Sequence, residues 1–236
     1  MSYFSTTHWS VVLEAGHGQT DQAREALESL CRTYWYPLYA YARLDGLSHH
    51  DAEDLTQSFF THLIEHELIA RADREKGRFR TFLLACFKNF RASEVERART
   101  RKRGGNVTLV SIDELQAQER FAREQKDAVT PETLYERNWA LLVFDQAQSL
   151  LETEYAQANQ DDLFRRLRGF LQGTRDSVSY ADIADEVQKS EAAIKMEVSR
   201  MRRRFRELLR SVVGQTVADA VEVENEFRHL VQVLSH

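Results

Sequence analysis

The chain has little of what bends or staples a fold. Its 236 residues include two prolines and nine glycines, so hairpins are few and long helices are favoured. Cys31 and Cys86 are its two cysteines, set in apolar surroundings without CxxC spacing. That argues against a disulfide scaffold and a thiolate metal site, and predicts buried free thiols in a cytoplasmic protein. No apolar run approaches the roughly 20 residues that a membrane span needs. The opening MSYFSTTHWS has no basic stretch followed by an apolar one, which predicts no signal peptide. A nucleophile–base constellation and a glycine-rich phosphate loop are missing too, so the sequence predicts neither catalysis nor a cofactor.

What is present is helical periodicity and charge in blocks. The hydrophobic share of 42% is enough for packed cores, and the length fits one large domain or two small ones. The net charge of −5 argues against nucleic acid, but the charge is unevenly spread. Residues 45–70 hold no Lys or Arg and carry Asp45, Asp51, Glu53, Asp54, Glu65 and Glu67. Residues 71–103 hold twelve basic residues against Asp73, Glu75, Glu94 and Glu96. Blocks of opposite sign point to two kinds of partner, one basic and one polyanionic.

The periodicity predicts an all-α chain of two small helical domains joined by a linker, the second ending in a helix-turn-helix, plus a short C-terminal helix. Residues 8–104 read as the first bundle. Ala26, Leu27, Leu30, Tyr34, Leu38 and Tyr41 keep helical spacing, with Pro37 a kink or break. A second helix over 51–68 turns Leu55, Phe59, Leu63 and Ile64 inward, and 70–77 is a loop. A third begins near Arg78 with the stripe Phe79, Phe82, Leu83, Cys86 and Phe90. Residues 105–131 read as a partly helical linker in which VTLVSID is a short extended piece. Residues 132–212 form the second bundle, with Leu141, Leu142, Phe144, Leu150 and Leu151, then Leu163, Phe164, Leu167, Phe170 and Leu171, as its core. The tail, 213–236, is acidic, with Val223, Phe227, Leu230 and Leu234 on one face. It docks on the second bundle or shields that bundle's basic helix.

The most informative stretch is 179–209, SYADIADEVQKSEAAIKMEVSRMRRRFRELL. Tyr180, Ile183, Ala184 and Val187 lie on one face of a short helix. Ser190 supplies a hydroxyl to cap the next helix. There Ile194, Val198, Met201, Phe205 and Leu208 form one stripe, with Lys195, Ser199, Arg203 and Arg206 well away from it. A short helix, a tight turn and a longer helix with a basic outer face is the pattern that lays its second helix in the DNA major groove. Ser190, Glu191, Lys195, Met196 and Ser199, at the start of that helix, are placed to reach bases. Arg200, Arg202, Arg203 and Arg206 are placed to hold phosphates.

The histidines make no metal site by spacing. His62 and His66 are four apart and His49 and His50 are adjacent, but a zinc site needs three or four ligands and no third partner is evident. The spacing therefore predicts no metal site, which sets aside a metal-dependent hydrolase.

Three segments in order carry a resemblance. DAEDLTQSFF, FRTFLLACFKNF and the 179–209 stretch resemble the bacterial RNA polymerase sigma factors of the extracytoplasmic-function group, a branch of the sigma-70 family. The resemblance covers most of residues 10–212, with Phe82 where the family usually has Trp, Ser93 where it often has Asp and Gln188 where it commonly has Gly. It implies that Asp51, Glu53, Asp54 and Gln57 meet core polymerase, through charge-assisted pairs with basic groups. It implies that the helix from Phe79 serves the promoter element nearest the start site, through Arg80, Phe87, Lys88, Asn89, Arg91 and Arg99. Phe87, on the flank of the stripe, is the candidate for stacking on an unpaired base. The helix-turn-helix takes the more distant element. The implied partners are core enzyme, double-stranded promoter DNA and its melted single strand, with an anti-sigma factor or a kinase as candidate regulators. Thr56, Ser58 and Thr61 lie in or beside the acidic segment, where a phosphate would add about −1.5 to −2 charge. The alternative is a stand-alone helix-turn-helix regulator that binds operators as a dimer and has no need of the acidic block.

Overall fold

The computed structural model describes residues 9–16, 20–100, 114–124, 130–171, 179–217 and 220–235; of residues 97–100, 114, 115 and 220 it describes the backbone alone. The described chain is all-helical, as the periodicity predicts. In order, the helices are α1 (Trp9–Gly16), α2 (Asp21–Leu44), α3 (His49–Glu65), α4 (Phe79–Thr100), α5 (Glu114–Glu124), α6 (Pro131–Gln157), α7 (Asp161–Leu167), α8 (Tyr180–Glu186), α9 (Glu191–Gly214) and α10 (Ala220–Leu234). Short 3-10 turns at Leu68–Arg71, Arg74–Lys76 and Arg168–Leu171 complete the order. None of the described helices is long and apolar enough to cross a membrane.

Two compact units result. The chain divides after Leu142 and again after Val212, so the first unit combines the N-terminal part with the tail. In this unit α2 is the central rod. Thr20 caps it by accepting from the Ala23 N–H at 3.0 Å. Pro37 does not break it: α2 runs unbroken from Asp21 to Leu44. A mid-helix proline loses a hydrogen bond and crowds the preceding turn, but Tyr34, Trp35, Leu38 and Tyr39 around it are all fully buried. Each such side chain stabilises by about 1.5–3 kcal/mol, which outweighs the loss. The core then spreads through edge-to-face aromatics: Phe59 meets Phe87 at 5.1 Å, Tyr34 meets Phe79 at 5.6 Å and Tyr41 meets Phe87 at 6.0 Å.

Two parts of the sequence reading change here. Within the expected linker, α5 is part of the core, with Ala117 and Phe121 buried in the same cluster as α2. The Tyr36 hydroxyl donates to the Glu124 carboxylate at 2.8 Å and pins α5 to α2, while Arg120 holds the same carboxylate from within α5 at 2.7 Å. The VTLVSID piece lies outside the described residues. The tail is the second change, since it belongs to the first unit. The Trp9 backbone N–H donates to the Gln215 carbonyl at 3.1 Å. Its indole donates to the Thr216 carbonyl at 3.2 Å, and Arg74 donates twice to the Val217 carbonyl. Glu226 of α10 is completely buried and pairs with Arg78 and Arg80.

The second unit is built by the end of α6, then α7, α8 and α9. Val143, Ala147 and Leu151 of α6 are buried, as are Phe164 and Leu167 of α7. Leu150, expected inside, is 41% exposed. Its neighbour Leu151 takes the inward position, since the buried residues of α6 recur every three to four from Ala140. Phe144 meets Phe205 of α9 edge-on at 4.9 Å, and Phe170 stacks on Tyr180 at 4.7 Å.

Candidate functional site

Helix α3 presents the acidic segment. Ser48 caps it: its hydroxyl accepts from the Asp51 N–H at 3.2 Å and donates to the Asp51 carboxylate at 2.6 Å. Asp51 and Asp54 are exposed and three residues apart, with Gln57 half-buried one turn on. These three share an outer face. Glu53 does not. It is only 8% exposed, because 100° per residue turns it inward beside Ala52 and Thr56. Thr56 is fully buried and donates to the Ala52 carbonyl at 2.7 Å, which removes it as a phosphate acceptor in the folded chain. Ser58 is exposed, and Thr61 is half-buried and donates to the Gln57 carbonyl.

Helix α4 departs most from expectation. Its inward stripe is Phe79, Leu83, Phe87 and Phe90, all buried. Phe87 has no exposed surface and sits edge-on to Phe59 and Tyr41, so it is a core ring and offers no face to a base. Arg80 is 2% exposed. Its Nε donates to Glu136 at 3.0 Å, its Nη1 pairs with Glu226, and its guanidinium lies 3.6 Å over the Trp139 ring. Burial works against its charge, but Glu136 and Glu226 outweigh burial and hold its pKa above the ordinary value. A guanidinium so enclosed cannot reach DNA. The remaining basic groups are outward but engaged. Lys88 pairs with Glu132 at 2.6 Å, and Arg91 pairs with Asp45. Asn89 is exposed. The Arg99 side chain lies outside the described residues.

The stretch expected to form a helix-turn-helix consists of two capped helices, α8 and α9, joined by a tight turn. Ser179 and Asp182 form a reciprocal capping box at the start of α8. The Ser190 hydroxyl accepts from the Ala193 N–H at 3.2 Å at the start of α9. Between them Gln188 takes a left-handed conformation, φ +53°. The turn closes through Gln188 N–H to Asp185 at 3.3 Å and Lys189 N–H to Ala184 at 2.9 Å. The geometry that glycine makes cheapest is thus adopted by glutamine, at some local strain. Ile194, Val198, Met201, Phe205 and Leu208 are all buried, as their spacing predicts.

The outer face of α9 sorts into engaged and unengaged groups. Lys195 pairs with Glu191 one turn back, Arg200 with Glu197, and Arg204 with Glu154 and Glu207. Arg202 donates twice to the Phe170 carbonyl, at 2.9 and 3.1 Å, and so helps fix α9 against the end of the 3-10 turn. Arg203 and Arg206 are exposed and have no ion-pair partner among the described residues. Ser199 is exposed, and Met196 is 56% exposed, an apolar group turned outward at the start of the helix.

Two groupings are absent from the sequence reading. One is the buried ionic cluster Arg80–Glu226–Glu136, joined by Arg78 and by His229, whose Nε2 lies 3.0 Å from Glu136. Arg80 and Glu226 are 146 residues apart, so no local spacing reveals the cluster. The other is the set His49, His50 and Glu53, brought together at the start of α3. No protein-family model, curated protein or solved structure matches the chain.

Proposed function

We propose that the chain is a promoter-specificity subunit of bacterial RNA polymerase, of the extracytoplasmic-function sigma type, acting in the cytoplasm. The observation that carries the reading is the capped pair α8–α9 with Arg203 and Arg206 unengaged on its outer face. Cations without an internal partner are the ones that neutralise phosphates at least cost. Glu191, Met196 and Ser199 stand at the end of α9 that enters a major groove first in this motif. The outward carboxylates Asp51 and Asp54 supply a docking face for a basic surface of core enzyme. The chain itself does no chemistry in this reading; it binds core enzyme and promoter, and Asn89 and Lys88 are the α4 groups left to meet a melted strand.

Transcription in vitro with purified core enzyme tests the proposal. Defined start sites that appear only with the added chain are expected. Reversing Asp51 and Asp54 to Lys removes core binding while the fold is kept. Arg203→Ala lowers the slope of log affinity against log salt by about one. Operator binding by the chain alone, with no start site selected, would favour the stand-alone regulator. The internal pairing of Arg80, Lys88 and Arg91 is the observation on that side, since it leaves α9 as the chief DNA-facing element.

A further inference from the structure

We infer that His49, His50 and Glu53 form a binding site for one divalent transition-metal ion of the zinc class. The inference does not depend on the promoter reading. Each residue offers one ligand atom, and the three atoms lie within 4.8 Å of one another. Bonds of about 2.0–2.1 Å in a tetrahedral shell put ligand atoms about 3.4 Å apart. In the proposed site, rotation of the His50 and Glu53 side chains closes that gap.

His49 is already aimed. Its Nδ1 lies 2.8 Å from the Tyr39 hydroxyl, which also accepts from Arg43 Nη1 at 3.1 Å. Tyr39 is fully buried and stacked on Trp35 at 5.1 Å, so the ring that holds His49 is itself fixed. In the proposed site Nδ1 keeps this contact and Nε2 is the ligating atom. A hydrogen bond on the far nitrogen is the usual way a ligating imidazole is oriented. His50 is exposed and Glu53 is nearly buried, which gives the site an open side and a closed side.

The donor set selects the ion. Two imidazoles and one carboxylate suit zinc, cobalt or nickel; calcium and magnesium prefer oxygen alone. Three protein ligands leave a fourth position for water. The positive end of α3 opposes a cation. The exposed carboxylates Asp51 and Asp54 in the first two turns offset that term. The neighbouring pair His62 and His66, with rings 4.1 Å apart, joins no set of three ligands among the described residues. It serves as the internal control.

The full-length chain is titrated with Zn²⁺ by calorimetry and with Co²⁺ by visible absorption. One ion per chain is expected, with tetrahedral Co²⁺ bands that Zn²⁺ displaces. His50→Ala, a change at an exposed residue that spares the fold, weakens binding at least about tenfold, and Glu53→Gln does the same. His62→Ala leaves it unchanged. Absence of saturable binding at about 100 µM Zn²⁺ overturns the inference, and so does binding that survives His50→Ala but is lost in His62→Ala.

Discussion

Replacing Glu226 probes how the first unit is closed. Its carboxylate has no exposed surface and faces Arg80, itself 2% exposed, and Arg78, whose side chain is 35% exposed. Glu226→Ala removes one of Arg80's two carboxylates and leaves Glu136, which is 26% exposed. Breaking a buried pair from one side typically costs about 3–5 kcal/mol, because the other charge stays behind. The surviving bond to Glu136 puts the cost at the low end, about 3 kcal/mol. Urea slopes for small units run at about 1–3 kcal/mol per molar, so the midpoint falls by about 1 M or more. The assay is selective. Trp9, Trp35 and Trp139 all belong to the first unit. Tryptophan emission therefore follows that unit, while far-ultraviolet dichroism follows both. The loss should appear in the emission transition. The double variant Arg80→Met, Glu226→Leu replaces the pair with apolar volume and should recover most of it. Strictly additive losses in the double variant, or an emission midpoint that Glu226→Ala leaves in place, would refute the reasoning.

Phe87→Ala should destabilise the first unit by about 3–5 kcal/mol, the cost of emptying a core aromatic site, and lower the same emission midpoint; a stacking role would instead spare stability and weaken single-strand binding. Gln188→Gly should raise the thermal midpoint of the second unit, since a non-glycine residue in the left-handed region costs about 1–2 kcal/mol, and a fall would show that the Gln188 side chain contributes more than the turn strain. Burial pushes the Cys31 thiol up to about 12, so a thiol reagent applied to the native chain at neutral pH should label the half-buried Cys86 first; peptide mapping after partial labelling reads the order. The Arg204 hydrogen bond holds Glu154 below its ordinary carboxylate pKa. A depressed carboxylate contributes stability above its unfolded pKa and loses it as pH falls through the folded value. Glu154→Gln should therefore lower the second unit's stability at neutral and alkaline pH, leave it unchanged at the acid end and flatten the profile between.

The fold was legible wherever apolar residues repeat on one face. In α9 the stripe from Ile194 to Leu208 is the buried face without exception, and Ser190 caps the helix as its position suggests. In α4 the buried stripe lies part of a turn from the one that the spacing suggests. Phe79, Leu83 and Phe87 recur every four residues and face inward, while Phe82 and Cys86 lie beside them. Both of these are half-buried. An aromatic-rich helix supports two neighbouring stripes, and only the packing against Phe59 and Tyr41 chooses between them. The weak periodicity of 114–124 hid α5 because two residues, Ala117 and Phe121, carry its burial. The tail's apolar face was legible, but its target was not. Its anchors, Trp9, Arg74 and Arg80, are distant in sequence.

The acidic and basic runs suggested two external partners, yet much of the basic run is satisfied within the chain. Arg80 goes to Glu136 and Glu226, Lys88 to Glu132, and Arg91 to Asp45. On α9, Lys195, Arg200 and Arg204 likewise pair with carboxylates. A cation that already has a partner must exchange it to hold a phosphate, so its net contribution to binding is reduced by what it gives up. Exposed surface pairs are worth only about 0–1 kcal/mol and exchange readily. The buried Arg80 pair does not exchange. This ranks the arginines by environment rather than by their place in a run. Arg203 and Arg206 should carry the salt dependence of DNA binding, Arg200 and Lys195 should contribute less, and Arg80 nothing. A salt slope that falls equally for Arg200→Ala and Arg203→Ala would remove the distinction and return the basic run to a uniform field.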